Sequence, residues 1–330
     1  MFQFINYLRF IATALITNSH FGEIWPISAL ATGGLLGNII FLAVSGFLLY
    51  NIKLNFPKWF LKRFLRVYPV MAIFTLIVSL CGFYSLKSIS DAIRLFIYPT
   101  NYIFIVWLIL CYCLFYLIAY ADKKINNFLE ISMGVLFGLW VLTYVVFCDK
   151  SAYTVDNVSE PFILFLYMES MLLGALFKKH SGKLGVFKLY KPFATAIALV
   201  LYFGSKIAIS KVSALLGVQI FNQFIIFATL YCVFDLFMCA ESLFHKLPFI
   251  GGVITHISNI TLQIYIVQFV IINRLHSLVF PLNLVAVTVC IVAAASLLYY
   301  VELFIRKGIS CLIAKKASNG KEIADAENSN

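Results

Sequence analysis

What most constrains this chain is the recurrence of apolar stretches about as long as a bilayer-spanning helix. They run over approximately 4–22, 30–50, 67–84, 101–120, 131–148, 161–177, 193–210, 219–239, 257–273 and 284–305. A span needs roughly 17–25 mostly apolar residues, and hydrocarbon forces the backbone polar groups to be satisfied internally. The pattern therefore predicts an all-α, polytopic integral membrane protein with about ten transmembrane helices. Hydrophobic residues make up 62% of the 330 positions and charged residues 12%, about half the charge fraction of a soluble domain. No polar region is large enough for a separate soluble domain. The first stretch carries Arg9 in its first third and lacks a small-residue cleavage site, so it reads as a retained span.

The net charge of +11 would by itself admit nucleic acid, but its distribution points to a membrane. With the N-terminus in the cytoplasm and ten alternating spans, inside segments hold 19 of the 25 Lys and Arg residues and outside loops 6. Adding or dropping one span would invert the sides downstream and destroy this positive-inside bias. Both termini are thus expected in the cytoplasm of a cell inner (plasma) membrane protein. Residues 1–305 form the membrane domain and 306–330 a basic, polar tail expected to be disordered. The cysteines lie mostly inside apolar runs and no CxxC occurs, so no metal site is expected. No internal repeat relates the two halves, which weakens the case for a secondary transporter.

Ionisable residues inside apolar spans are costly and usually face a cavity or a partner. Arg9 and His20 are eleven residues apart, about 20° past three whole helical turns, with a rise of about 16 Å. They are expected on one face, a fixed cation toward the inner end and a titratable imidazole toward the outer half. A snorkelling arginine and a packing histidine would have the same spacing. The segment KWFLKRFLRVYP, 58–69, carries Arg63 and Arg66 on one helical side. Guanidinium pairs suit phosphate, although a basic cytoplasmic loop needs no ligand. Pro57 and Pro69 predict a short or kinked helix there. Ser45 and Gly46 interrupt FLAVSGFLLY as a helix-packing motif. Glu23, one turn beyond His20, is placed to orient the imidazole, or is simply solvated. Glu169 is a buried acid expected to line an acceptor path or to pair with Arg9 or Lys62, and Asp235 is expected to pair with a cytoplasmic cation.

In this order these segments resemble the integral-membrane acyltransferase family 3. Its Arg-x10-His motif matches Arg9 and His20, its FFxxSGFLL motif matches FLAVSGFLL at 41–49, and its basic Arg-x-x-Arg segment matches KRFLRVYP at 62–69. Trp107 with FYL at 115–117 resembles the fourth-span motif, and NITLQIYIVQF at 259–269 the C-terminal signature. Four positions depart from the family: Tyr112 stands where many members carry Glu, Thr261 and Leu262 where the C-terminal signature has Ser-Tyr, and Gln268 where it has His.

The resemblance implies transfer of an acyl group, most often acetyl, from cytoplasmic acyl-CoA to a hydroxyl of a cell-surface or lipid-linked saccharide. Acyl-CoA is then a co-substrate, and no permanently bound cofactor, metal or nucleic acid is implied. Arg63 and Arg66, with Arg9, would take its phosphates. The pantetheine arm would bring the thioester toward His20, whose ordinary pKa near 6.5 suits a general base. A transporter or flippase for a lipid-linked saccharide is the competing reading. It would explain buried charges in ten spans, but not the fixed Arg9–His20 spacing followed by Arg63 and Arg66.

Overall fold

The computed structural model describes residues 2–155, 158, 162–181, 187–246, 248–275 and 277–327, with side chains beyond Lys307 and those of 101 and 248–250 outside the description. Lys183 is likewise outside the described residues. Among those described, every regular element is helical. Seven helices are long and apolar enough to cross a membrane, or up to eight when a pair bent by 72° at Ile260 is taken as one span. They are α2 (Gly34–Leu49, preceded by a short turn), α3 (Phe56–Leu80), α5 (Ile103–Ala121), α6 (Phe128–Phe147), α8 (Tyr190–Lys211), α9 (Ile220–Cys239) and the apolar part of α13 (Leu282–Glu327). The bent pair is α11 (Pro248–Asn259) and α12 (Thr261–Leu275). Two further apolar helices, α1 (Gln3–Ser19) and α7 (Ile163–Lys179), have 17 residues each. Short α4 (Ile89–Ala92) and α10 (Glu241–Phe244) complete the order. Each predicted stretch thus overlaps a helix. The backbone of α13 is described as helix to Glu327.

The most enclosed helices are α2 and α7. Residues 166–175 of α7 are buried without interruption, because α2, α5, α6 and α9 surround it. Its closest neighbour is α2, and the crossing is reciprocal. A Cβ at Gly46 would overlap the Met171 carbonyl, and a Cβ at Gly174 would overlap the Ala43 carbonyl. Small residues let two backbones approach this closely, which is the main route to helix association where lipid competes for apolar surface. By contrast, α6 and α8 lie at the periphery and leave Val145, Val146, Phe147, Val200 and Leu201 exposed. Such an apolar exterior would aggregate in water and is matched by acyl chains.

Residues from the loops predicted on one side of the membrane meet at one end of the bundle. Glu241 accepts from the amides of Gln3 and Phe4 at 2.9 and 2.7 Å, which satisfies two orphan donors at the α1 N-terminus and complements its dipole. Lys179 pairs with Asp122 and Glu130 at 3.0 and 2.8 Å, Lys123 donates to the Ile52 carbonyl, and Lys178 lies over Phe2 and Phe47. Asp235 pairs with Lys191 at 2.8 Å. At the other end, Lys206 donates to Thr32, Asn283 to the Ile24 carbonyl, and Thr154 to Gln219.

The basic segment departs from expectation. It is the first turns of a continuous 25-residue helix, α3, rather than a loop ahead of a short span. Pro57 occupies the first turn, where no backbone N–H is required. Pro69 lies within the helix, and the carbonyl it leaves unpaired is that of Leu65, four residues earlier. Arg306 of α13 donates to that carbonyl at 3.4 Å. A partner from another helix thus takes the place of the lost backbone bond.

Candidate active site

Two cavities lie along α1. The first, about 540 Å³, is bounded by Arg9, Thr13 and Thr17 of α1, the basic face of α3, Tyr112 of α5, and parts of α12 and α13. The second, about 1120 Å³, surrounds the C-terminal end of α1. Both volumes are of the order that holds small substrates. Ile16, Phe104 and Tyr265 line both and so form the partition between them. Phe104 and Tyr265 meet edge-to-face with ring centroids 5.8 Å apart.

The first cavity is cationic. Arg9, Lys62, Arg63, Arg66 and Arg306 line it, with Glu302 as the carboxylate among its described lining residues. Glu302 is already engaged by Arg306 at 2.5 Å and by Gln263 at 2.7 Å. Lys62 and Arg66 are exposed and Arg63 is half-buried over Trp59, so the charges stand at a mouth open to solvent. The Nε atoms of Arg9 and Arg63 are buried without a hydrogen-bond partner. Tyr112 faces these arginines and hydrogen-bonds with Ser45. A neutral phenol there leaves the guanidinium charge uncompensated. The cavity therefore selects an anion on electrostatic grounds.

The second cavity is aromatic and mostly neutral. Tyr84, Trp107, Tyr167 and Phe269 contribute rings, and His20 and Arg274 are the ionisable side chains besides its tyrosines. Asn38 donates to the Tyr167 hydroxyl at 3.0 Å, while its Oδ1 is buried and unpartnered. His20 caps α1, which ends at Ser19, and its ring packs on Phe269 with centroids 4.6 Å apart.

Arg9 and His20 are thus on one helix, at the spacing that places them on one side of it, but they line different cavities. The reason is the partition: Ile16 of α1 occupies the stretch between them, where α5 and α12 supply Phe104 and Tyr265. Arg63 and Arg66 come together with Arg9 in the first cavity. Ser45 lines that cavity, and Gly46 is at the α2–α7 crossing. Glu23 is exposed, lines neither cavity and makes no described hydrogen bond to His20. Because α1 stops before it, helical spacing does not carry Glu23 back to the imidazole. Glu169 is buried in α7 with Oε1 unpartnered; it lines neither cavity and forms no described ion pair with Arg9 or Lys62.

Sequence reasoning missed the polar seam joining α1 to the broken helix. Thr13 donates to Thr261 at 3.1 Å and Thr17 to Gln268 at 3.0 Å. The available signal was Gln263 and Gln268 in an otherwise apolar stretch. Broken helices at membrane depth are tolerated where they line a cavity, and the α11–α12 pair does so.

A family model described as an acyltransferase domain matches residues 2–301, nearly the whole chain. No curated protein and no solved structure matches it.

Proposed function

The chain belongs to acyltransferase family 3, a multi-pass membrane enzyme family, and from that premise we propose that it transfers an acyl group from acyl-CoA to a saccharide hydroxyl. The observation that carries this reading is the pair of abutting cavities on α1, one built for an anion and the other holding an imidazole. The end bearing the α1 N-terminus faces the cytoplasm, ten apolar elements cross the inner membrane, and both termini are inside.

Acyl-CoA enters the first cavity from the cytoplasm. Arg63 and Arg66 take the nucleotide phosphates at the mouth, Arg9 lies deeper, and the pantetheine arm runs along Thr13 and Thr17 toward the partition. The saccharide, cell-surface or lipid-linked, occupies the second cavity. Aromatic faces there suit the C–H surfaces of a sugar ring, and the unpartnered Asn38 Oδ1 suits a hydroxyl donor. His20 takes the proton of the acceptor hydroxyl as its oxygen attacks the thioester carbonyl. The tetrahedral oxyanion collapses, the C–S bond breaks, and the imidazolium returns its proton to the departing thiolate. The products are an O-acyl saccharide and free CoA. Acetyl is the expected acyl group.

The test is twofold. Purified protein in nanodiscs is expected to bind acetyl-CoA and release CoA thiol when a saccharide acceptor is supplied. Surface glycans from cells with and without the protein should differ by the mass of an acetyl group. Unaltered glycans, with saccharide moving across vesicles that contain the protein, would replace this reading with transport.

A further inference from the structure

Among the described residues, four of the buried polar side-chain atoms without a hydrogen-bond partner line the first cavity: Arg9 Nε, Arg63 Nε, Gln263 Oε1 and Gln268 Nε2. A buried polar group left unpaired is costly, so such atoms gathered on one cavity mark positions that a ligand completes. The two arginine atoms belong to the phosphate end already described. The two glutamines lie along α12, Gln263 donating to Glu302 and Gln268 accepting from Thr17.

Gln268 is the more informative. Its side chain is fully buried, at 0% exposure. Its Oε1 is used, accepting from Thr17 at 3.0 Å, and that bond fixes the amide so that the N–H₂ group is the end left over. Its neighbour Phe269 lines the second cavity and packs on His20. Thr17, which holds the amide, is three residues before His20, a rise of about 4.5 Å along α1. Gln268 is therefore the polar donor of the first cavity that stands at the partition, across it from the imidazole.

We propose that the Gln268 Nε2–H group donates a hydrogen bond to the thioester carbonyl of acyl-CoA and holds the oxyanion that forms on it. This inference rests on the acyl-CoA reading above. The first atom of the thioester to gain charge is its carbonyl oxygen, before any charge reaches the departing sulfur. As the acceptor hydroxyl oxygen bonds to the carbonyl carbon, the C=O electron pair moves onto oxygen, opposite Nε2. When the C–S bond breaks, that pair re-forms the carbonyl of the ester. The Thr17 bond makes Gln268 a donor set in place before reaction, which is what gives oxyanion stabilisation its effect. Histidine at this position would also supply an N–H.

The experiment compares wild type with Gln268→Leu, Gln268→Met and Gln268→His in nanodiscs. Binding is measured with acetonyl-CoA, which keeps the carbonyl, and S-ethyl-CoA, which lacks it. Wild type should prefer acetonyl-CoA by about tenfold, the worth of one hydrogen bond. Gln268→Leu should bind the two equally, with S-ethyl-CoA affinity retained, and its kcat should fall by about 10²–10³-fold with KM little changed. Gln268→Met, closer in length, gives the same readout should the leucine variant fail to fold, and Gln268→His should recover part of both the preference and the rate. A Leu or Met variant that keeps the carbonyl preference, or turns over within threefold of wild type, overturns the proposal. If wild type binds CoA but ignores the carbonyl, this inference alone falls. If wild type binds neither analogue nor CoA, the acyl-CoA reading falls with it.

Discussion

The two cavities on α1 differ in every property that decides what a cavity can hold. The first has about half the volume of the second, gathers four arginines, and leaves three N–H donors and the Gln263 Oε1 unpaired among the described residues. The second is wide and aromatic, and leaves the Asn38 carbonyl oxygen unpaired. The proposed function gives the first an acceptor-rich anion and the second a hydroxyl-rich neutral molecule. What the difference teaches is that one short helix can serve two chemically opposed ligands. It does so because its side chains at 9, 13 and 17 face one compartment and those at 19 and 20 the other.

The largest expected effect tests whether His20 belongs to chemistry rather than packing. His20→Ala should lower acyl transfer by about 10²–10⁴-fold, while acetyl-CoA binding, which belongs to the other cavity, stays within twofold. His20→Gln should be nearly as inactive, because an amide cannot titrate. In wild type the base must be neutral, so the rate should fall on the acid side as the imidazole gains its proton. That limb should be missing from the residual activity of His20→Gln. Near-normal product from folded His20→Gln protein would break the division of labour.

The next effect belongs to the first cavity. On the proposed acyl-CoA reading, Arg63→Ala and Arg66→Ala each remove a charge-assisted phosphate contact worth about 1.5–3 kcal/mol, so acyl-CoA affinity should fall by roughly 10–100-fold each. Lysine should rescue only in part, since an ammonium cannot reproduce the guanidinium fork. A double alanine variant with unchanged donor affinity in nanodiscs would reduce the cluster to a topology signal.

A third substitution leaves both cavities lined as they are and loosens their frame. Gly46→Val places side-chain atoms where the Met171 carbonyl stands. Overpacking of this kind costs about 1–3 kcal/mol, so thermal denaturation in detergent should shift several degrees downward. An unshifted midpoint would mean that the α2–α7 crossing can open freely. The smallest expected effect is that of Glu23→Gln. This residue is exposed and makes no described bond to the imidazole, so transfer should stay within twofold of wild type. A loss of tenfold or more would show that Glu23 reaches His20 in the working enzyme. Cysteine labelling at 58 and 155 should report opposite sides of the membrane, and labelling from one side would break the orientation assigned to both cavities.

What the sequence made legible follows from how local each signal is. Helix positions came from apolar length, which needs no tertiary information; Arg9 and His20 stood out because charge at depth is rare, and Arg63 and Arg66 because two guanidinium groups three residues apart share a helical side. Their distribution between two compartments was hidden. It depends on Phe104 and Tyr265, apolar or amphipathic residues on helices far away in sequence, which look like any other core aromatic. The place of Glu23 was hidden for a local reason: the apolar stretch continues past Ser19, but the helix does not. The continuity of α3 was hidden because the group that tolerates Pro69 is Arg306, 237 residues later. Gly46 was visible as a break in an apolar run, but its counterpart Gly174 only gains meaning once α7 lies against α2.

The partition also has an electrical meaning. Hydrocarbon about 30 Å thick normally insulates the two sides of a membrane. With the first cavity opening to the cytoplasm and the second outward, as proposed, what separates the two spaces is the width of Ile16, Phe104 and Tyr265. The membrane potential, about 2.3 kcal/mol per elementary charge at 100 mV, then falls across a few side chains instead of the whole bilayer. An oxyanion forming there lies in the steepest part of that field, so the rate of acyl transfer in sealed vesicles should respond to the sign of the imposed voltage.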